Sequence, residues 1–226
     1  MQASVVIPAL DEEPWIERAI ASVAEADQVI VADGGSQDGT RERARSRGAL
    51  VIEAPRGRGV QLREGALRAT GDWLVFLHAD TRLEAGWAAA LESLPAGIVG
   101  GAFRFALDSA RASYRALEAA VRARCRVFQM PYGDQAIFAR RWAYQAAGGF
   151  PRLPIMEDVD FVSRLRRVGP LAFPRVRAFT SPRRYEQAGL VRATLRNWWV
   201  LGLYAAGRPA ERLAEIYDAR PQEVRP

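Results

Sequence analysis

The sequence predicts a three-layer α/β fold: a mostly parallel central sheet between two layers of helices, with a C-terminal helical tail. Three observations lead there. Short runs rich in Val and Ile alternate with segments whose apolar residues recur at helical spacing, the order that builds βαβ units. Glycines and acidic residues gather where those runs end. At 226 residues, 49% hydrophobic and 26% charged, the chain can bury the core of one soluble domain and has no disordered or fibrous composition.

Element by element, "SVVIPA" reads as the first strand. From Glu12 to Ala26 the residues Trp15, Ile16, Ala19, Ile20 and Val23 share one face, which predicts a helix packed on the sheet. "QVIVAD" is the second strand, Asp38 is placed to cap the helix "GTRERARSR", and Gly48 stops it before a third strand, "ALVIEA". After the glycine-broken loop "PRGRG", "VQLREGALRA" reads as a helix and "WLVFL" as a fourth strand. Further on, "TRLEAGWAAALESL" is expected to be helical, "IVGGAFRFAL" a strand, and "SYRALEAAVRARCRVF" a long amphipathic helix. "QAIFAR" reads as a strand, with reversed direction as one option, and "EDVDFVSRLRRV" as a helix with acids in its first turn and bases in its last. A short strand near "LAFPRVRAF" precedes a helical pair, "LVRATLRNWWVLGLYAA" and "PAERLAEIYDA".

The 32 basic residues are arginines and outnumber 26 acids, giving a net charge of +6 and favouring an anionic partner. The single cysteine, Cys125, excludes an internal disulfide and a cysteine metal cluster, and suits a reducing compartment. "MQASVVIPAL" has no basic leader and runs into the first strand, so a cytoplasmic location is expected. The longest apolar run, Trp198 to Ala206, falls far short of the ~20 residues that span a bilayer, so any membrane contact would be peripheral, at the inner face of the cell membrane. The arginines are scattered without an aromatic-basic module, which argues against nucleic acid.

Three acidic sites fall at the ends of elements, where open parallel sheets bind ligands. Asp33 closes the second strand inside "VADGGSQDGT"; it either accepts hydrogen bonds from a base or ribose, or belongs to a plain turn. No G-x-G-x-x-G spacing is present there. Asp80, in "LVFLHADT", either binds a divalent cation that completes its shell with phosphate oxygens and water, or caps the next helix. His78, the sole histidine, reads more simply as a strand-end imidazole bonded to backbone than as a metal ligand. Glu157 and Asp158 in "IMEDVDF" either favour a helix N-terminus or supply a general base. Arg183 and Arg184 in "TSPRRYEQ" suit a pyrophosphate on a flexible loop, or are solvated surface.

Taken in order, "VVIPALDEE", "VADGGSQDGT", "GDWLVFLHADT", "GGF" and "MEDVDF" resemble glycosyltransferase family 2, the inverting nucleotide-sugar transferases of GT-A (Rossmann-like) fold, over roughly the first 165 residues. The "LHADT" wording is similar to a bacterial subgroup. The resemblance implies one domain over 1–226: a nucleotide-sugar-binding half at 1–105, an acceptor and catalytic half at 106–185, and a helical tail at 186–226. It assigns Pro8, Ala9 and Glu12 to the nucleotide pocket, Asp33 to the base, and Asp80 to an Mg²⁺ or Mn²⁺ bridging the donor phosphates. Asp158 becomes the base. "HAD" is a D-x-D in which His78 stands for the first acid, beside Ala79; Arg58, Glu157, Arg183 and Arg184 complete the donor set. Gly34 replaces a frequent second aspartate, which leaves UDP- and GDP-sugars both open, and the Q-x-x-R-W motif is not recognisable.

The expected activity is metal-assisted transfer of a sugar to an acceptor hydroxyl, on a lipid-linked or small molecule. The rivals are a non-catalytic sugar-nucleotide binder or membrane-peripheral partner protein, and a nucleotidyltransferase, which would want a basic glycine-rich loop where this chain has the acidic "PALDEE". Trp198 and Trp199 in the tail either pack on the core or in a homodimer, or lie on an anionic membrane.

Overall fold

A computed structural model of the chain describes residues 2–218. The first half follows the βαβ reading: β1 (Ala3–Ala9), α1 (Ile16–Ala21), β2 (Gln28–Asp33), α2 (Thr40–Ser46), β3 (Leu50–Glu53), α3 (Arg58–Arg68) and β4 (Trp73–Phe76). Then come β5 (Thr81–Leu83), α4 (Trp87–Glu92), β6 (Gly100–Ala102), β7 (Arg104–Leu107) and α5 (Ala112–Phe128). A 3-10 turn at Gly133–Gln135 leads into β8 (Ile137–Arg140), α6 (Arg141–Ala146), α7 (Glu157–Val168), β9 (Leu171–Ala172) and β10 (Arg177–Thr180). The tail comprises α8 (Arg183–Ala188), α9 (Leu190–Ala205) and α10 (Ala210–Asp218). Ala219, the end of the expected last helix, and the rest of the tail lie outside the described residues.

The main sheet has seven strands in the order β3-β2-β1-β4-β8-β6-β9. Its first four are parallel, and β8 runs antiparallel to both β4 and β6, the reversed option the sequence left open. Period-two alternation makes the layers. Val5, Ile7, Val31, Val75 and Phe138 face one core with Ile16, Ile20, Ala44, Trp87 and Leu91 of α1, α2 and α4. Their neighbours Val6, Ile30, Leu74, Phe76 and Ile137 face the other, with Leu62, Tyr144, Phe161 and Leu165 of α3, α6 and α7. On that side α3 lies so close to β1 that a Cβ on Gly65 would stand 2.3 Å from Val6 Cγ1.

Four local expectations are corrected. The segment 81–94 is not one helix: Thr81–Leu83 pairs antiparallel with β10, and α4 begins only after Gly86, whose φ of 83° breaks the chain direction. Leu83, Trp87 and Leu91 still share one buried face, which is the periodicity the sequence displays. The single strand expected at 98–107 is two, because at Phe103 the chain leaves β8 and β9 and continues as β7 in a second, three-stranded sheet, β5-β10-β7. Asp38 does not occupy the cap position, which is Gly39, although its carboxylate accepts the Thr40 N–H at 3.0 Å. The segment around Arg183 and Arg184 is the helix α8, started by Pro182, and not a flexible loop.

Candidate active site

The site lies beyond the carboxyl end of β4. Leu77 extends the ladder by donating to Val6 O at 3.0 Å, after which His78, Ala79 and Asp80 turn away. The small sheet then sets what faces them. Thr81 pairs with Thr180, their hydroxyls 2.9 Å apart, and Ser181 N–H donates to Asp80 O at 3.1 Å. This register delivers α8 to the mouth of the crevice. Arg183 reaches Asp80 Oδ2 at 3.0 Å and Glu12 Oε1 at 2.6 Å, with Trp15 under its guanidinium. Burial raises the Glu12 carboxyl above the usual range, with Arg183 pulling the other way.

One cavity is shared by Arg58, His78, Asp80, Asp158, Arg183 and Arg184. Asp158 sits in the first turn of α7, where Oδ1 accepts its neighbour's Val159 N–H at 2.8 Å and Oδ2 accepts Gly133 N–H at 2.7 Å. Glu157 turns the other way, fully buried, into an ion pair with Arg58 at the start of α3. A Cβ on Gly133 would lie 2.7 Å from His78 Nε2, so the 3-10 turn is pressed against the imidazole. Burial first, then the cations Arg58, Arg184 and Arg183, hold His78 well below the usual histidine range, and the ring is neutral at physiological pH.

The remaining candidates lie beside this cavity and not in its lining. Pro8 and Ala9 end β1, and Ala9 pairs with Asp33. The Asp33 carboxylate, 1% exposed, accepts Gly35 N–H at 3.0 Å, Ser36 N–H at 3.1 Å and the Ser36 hydroxyl at 2.5 Å, so it braces the glycine turn. Ala79 is buried. Gln61, which sequence reasoning passed over, ties this corner together by donating to Ala9 O at 2.7 Å and Ala32 O at 2.9 Å. Also passed over were Tyr132, Asp134, Tyr185, Asn197 and Tyr217, which line the same cavity. The sequence signal for Tyr132 and Asp134 was the turn-forming "PYGDQ", Tyr185 stands in "TSPRRYEQ", and Asn197 and Tyr217 read as ordinary positions of the tail helices.

Among the described residues no three His, Cys, Asp or Glu side chains form a metal cage. Asp80 is a single carboxylate facing an open crevice, already matched by one cation, Arg183. Such a donor set suits a hard divalent ion that completes its shell with phosphate oxygens and water.

The mostly parallel sheet between helical layers matches the GT-A fold of similar solved glycosyltransferases. Residues 4–149 match the model of Glycosyl transferase family 2, and the chain belongs to that family. Asp158, Arg183 and Arg184 lie beyond the matched segment. Glucosyl-3-phosphoglycerate synthase of Mycobacterium tuberculosis is 36% identical over 91 residues, 34% of this chain and 28% of that protein, so the match spans less than a third of the relative's length. An uncharacterized glycosyltransferase of Mycobacterium bovis is 33% identical over 84 residues, 37% of this chain and 38% of its own. Among solved structures, the M. tuberculosis synthase with Mn²⁺, UDP and glucosyl-3-phosphoglycerate is similar with a TM-score of 0.58 at 25% identity, covering 79% of this chain and 71% of that one. The same enzyme with Mn²⁺ and UDP-glucose gives 0.57 at 26% identity, covering 80% and 69%.

Proposed function

We propose that the protein is an inverting hexosyltransferase that moves a sugar from a UDP- or GDP-sugar to an acceptor hydroxyl by single displacement. The observation that carries this reading is that Asp80 and Asp158, on different elements, line one cavity with Arg183 and Arg184. Asp158 takes the proton from the acceptor hydroxyl as its oxygen attacks the anomeric carbon from the face opposite the departing diphosphate. Asp80 holds Mg²⁺ or Mn²⁺, which supplies Lewis-acid stabilisation of the leaving diphosphate when bound. Arg183 and Arg184 add charge-assisted hydrogen bonds to the same group. Neutral His78, at the position of the first acid of D-x-D, faces the ribose, and Pro8, Ala9, Glu12 and Asp33 form the nucleoside end. Support comes from the similar synthase structures, one solved with Mg²⁺ and UDP and others with Mn²⁺ and UDP or UDP-glucose.

Proton NMR of a turnover mixture containing UDP-glucose or GDP-mannose with Mn²⁺ tests this directly. A new glycosidic signal of configuration opposite to the donor is expected. Retention of configuration would contradict single displacement, and no turnover of any donor would favour a non-catalytic binder.

The finer partners rest on α9. Val191, Leu195, Trp198 and Trp199 fall on one face of it, each 63–70% exposed, so the tryptophans do not pack on this chain's core. Among the described residues no helix is long and apolar enough to cross a membrane. An exposed apolar face flanked by Arg192 supports peripheral contact with an anionic membrane, with a homodimer through the same face as the competing occupant.

A further inference from the structure

We propose that Asp134 recognises the acceptor, accepting a hydrogen bond from a second hydroxyl beside the one that Asp158 deprotonates, so that the acceptor is a polyhydroxylated molecule. The inference rests on the transferase reading above and adds a residue and a substrate class to it.

The turn that carries Asp134 is fixed from several sides. Gly133 N–H is held by Asp158, and Gln135 donates to Phe103 O at 3.2 Å. Gln135 Oε1 accepts from Tyr132 N–H at 3.3 Å and from Arg124 at 3.1 Å. Ala136, fully buried, closes the turn with a φ of 47°, a left-handed conformation that a non-glycine residue adopts at a cost. Each of these polar groups has a partner. Asp134 is the exception: half-buried, it lines the cavity with Asp158, and among the described residues its side chain accepts no hydrogen bond.

Arg124, one of the cations whose charge acts on Asp134, is directed elsewhere. Its Nε donates to Met130 O at 3.0 Å and its guanidinium lies 3.5 Å from the Tyr132 ring centre. A half-buried carboxylate without a partner costs stability, and a structural role would have supplied one. Among the described residues no third acidic or histidine side chain joins the two aspartates. What remains is a ligand group that donates a hydrogen bond, next to the base. An acceptor with one isolated hydroxyl would leave Asp134 unmatched.

The physical cost is visible in its acidity. Burial first, with Asp158 adding to it and Arg124, Arg184 and Arg58 opposing it, raises the Asp134 carboxyl from 3.8 to about 6. A carboxyl raised in the folded state keeps its proton where the unfolded chain has lost it. Stability therefore falls as pH rises between those two values, and the loss is complete above about 6.

The test uses the full chain, Asp134→Asn and Asp134→Ala. Nucleotide release from UDP-glucose and GDP-mannose with Mn²⁺ is followed in glycerol and in 1-propanol, and melting is followed from pH 4 to 8 without donor. Glycerol should accelerate release in the wild type where 1-propanol does not, and both variants should lose at least tenfold of that response through a raised KM for glycerol. Asp134→Asn should melt above the wild type at neutral pH, with the gap closing toward pH 4. Lower melting of Asp134→Asn at every pH would make Asp134 a structural group and overturn the proposal. An unchanged glycerol response in the variants, or equal responses to the two alcohols in the wild type, would overturn it as well. No release by the wild type from either donor would instead overturn the transferase reading, and the acceptor role with it.

Discussion

Asp158 engages both oxygens with backbone N–H groups, which fixes where the carboxylate points before any substrate arrives. An amide in its place keeps an acceptor for Gly133 N–H but cannot take a proton. Asp158→Asn should therefore fold normally and lose about 10²–10⁴-fold in kcat, the usual worth of general-base catalysis, with little change in donor KM. Steady-state kinetics beside a circular dichroism spectrum checks this, and near-native turnover would remove Asp158 from the base role. Part of this site was legible from residue types alone: acids placed after a strand or at a helix start, such as Asp80 and Asp158, mark themselves. Asp134 was not, because in "PYGDQ" an aspartate reads as turn chemistry and only burial reveals that it lacks a partner.

The elements repeat that lesson. The parallel strands were legible because each is a local apolar run bounded by turn signals, while β5 was obscured and the one short strand expected near Leu171 to Phe179 is two, β9 and β10, in different sheets. β5 and β10 are short, their partner lies far away in sequence, and Thr81–Leu83 shares its apolar Leu83 with the helical period of α4. Non-local pairing leaves no local signal, yet this pairing is what carries Arg183 to Asp80. Close packing between elements makes its own prediction. Gly65→Ala would push a methyl into Val6 Cγ1, 2.3 Å away, separating α3 from β1. Overpacking of this kind costs ~1–3 kcal/mol, more than the ~1 kcal/mol of helix propensity gained. Thermal melting should fall by roughly 2–4 °C per kcal/mol lost, and an unchanged or raised Tm would contradict the packing account.

At the scale of the molecule, the tail borders both the site and the surface. Asn197 and Leu201 on one side of α9 line the cavity, while Trp198 and Trp199 are exposed. Co-sedimentation with vesicles of anionic and of neutral lipid should show salt-sensitive binding to the anionic ones, lost in Trp198→Ser/Trp199→Ser. Binding that survives the double change would move the contact elsewhere, and a concentration-dependent dimer that the double change abolishes would assign the face to a second copy. On the proposed function the crevice between Asp80 and Asp158 takes a nucleotide sugar with a divalent ion. Calorimetric titration of UDP- and GDP-sugars into wild type and Asp80→Ala, with Mn²⁺ and with chelator, tests it most directly. Binding of one nucleotide class is expected, weakening at least tenfold on chelation or in Asp80→Ala. Tight binding indifferent to both, or no binding of either class, would contradict it.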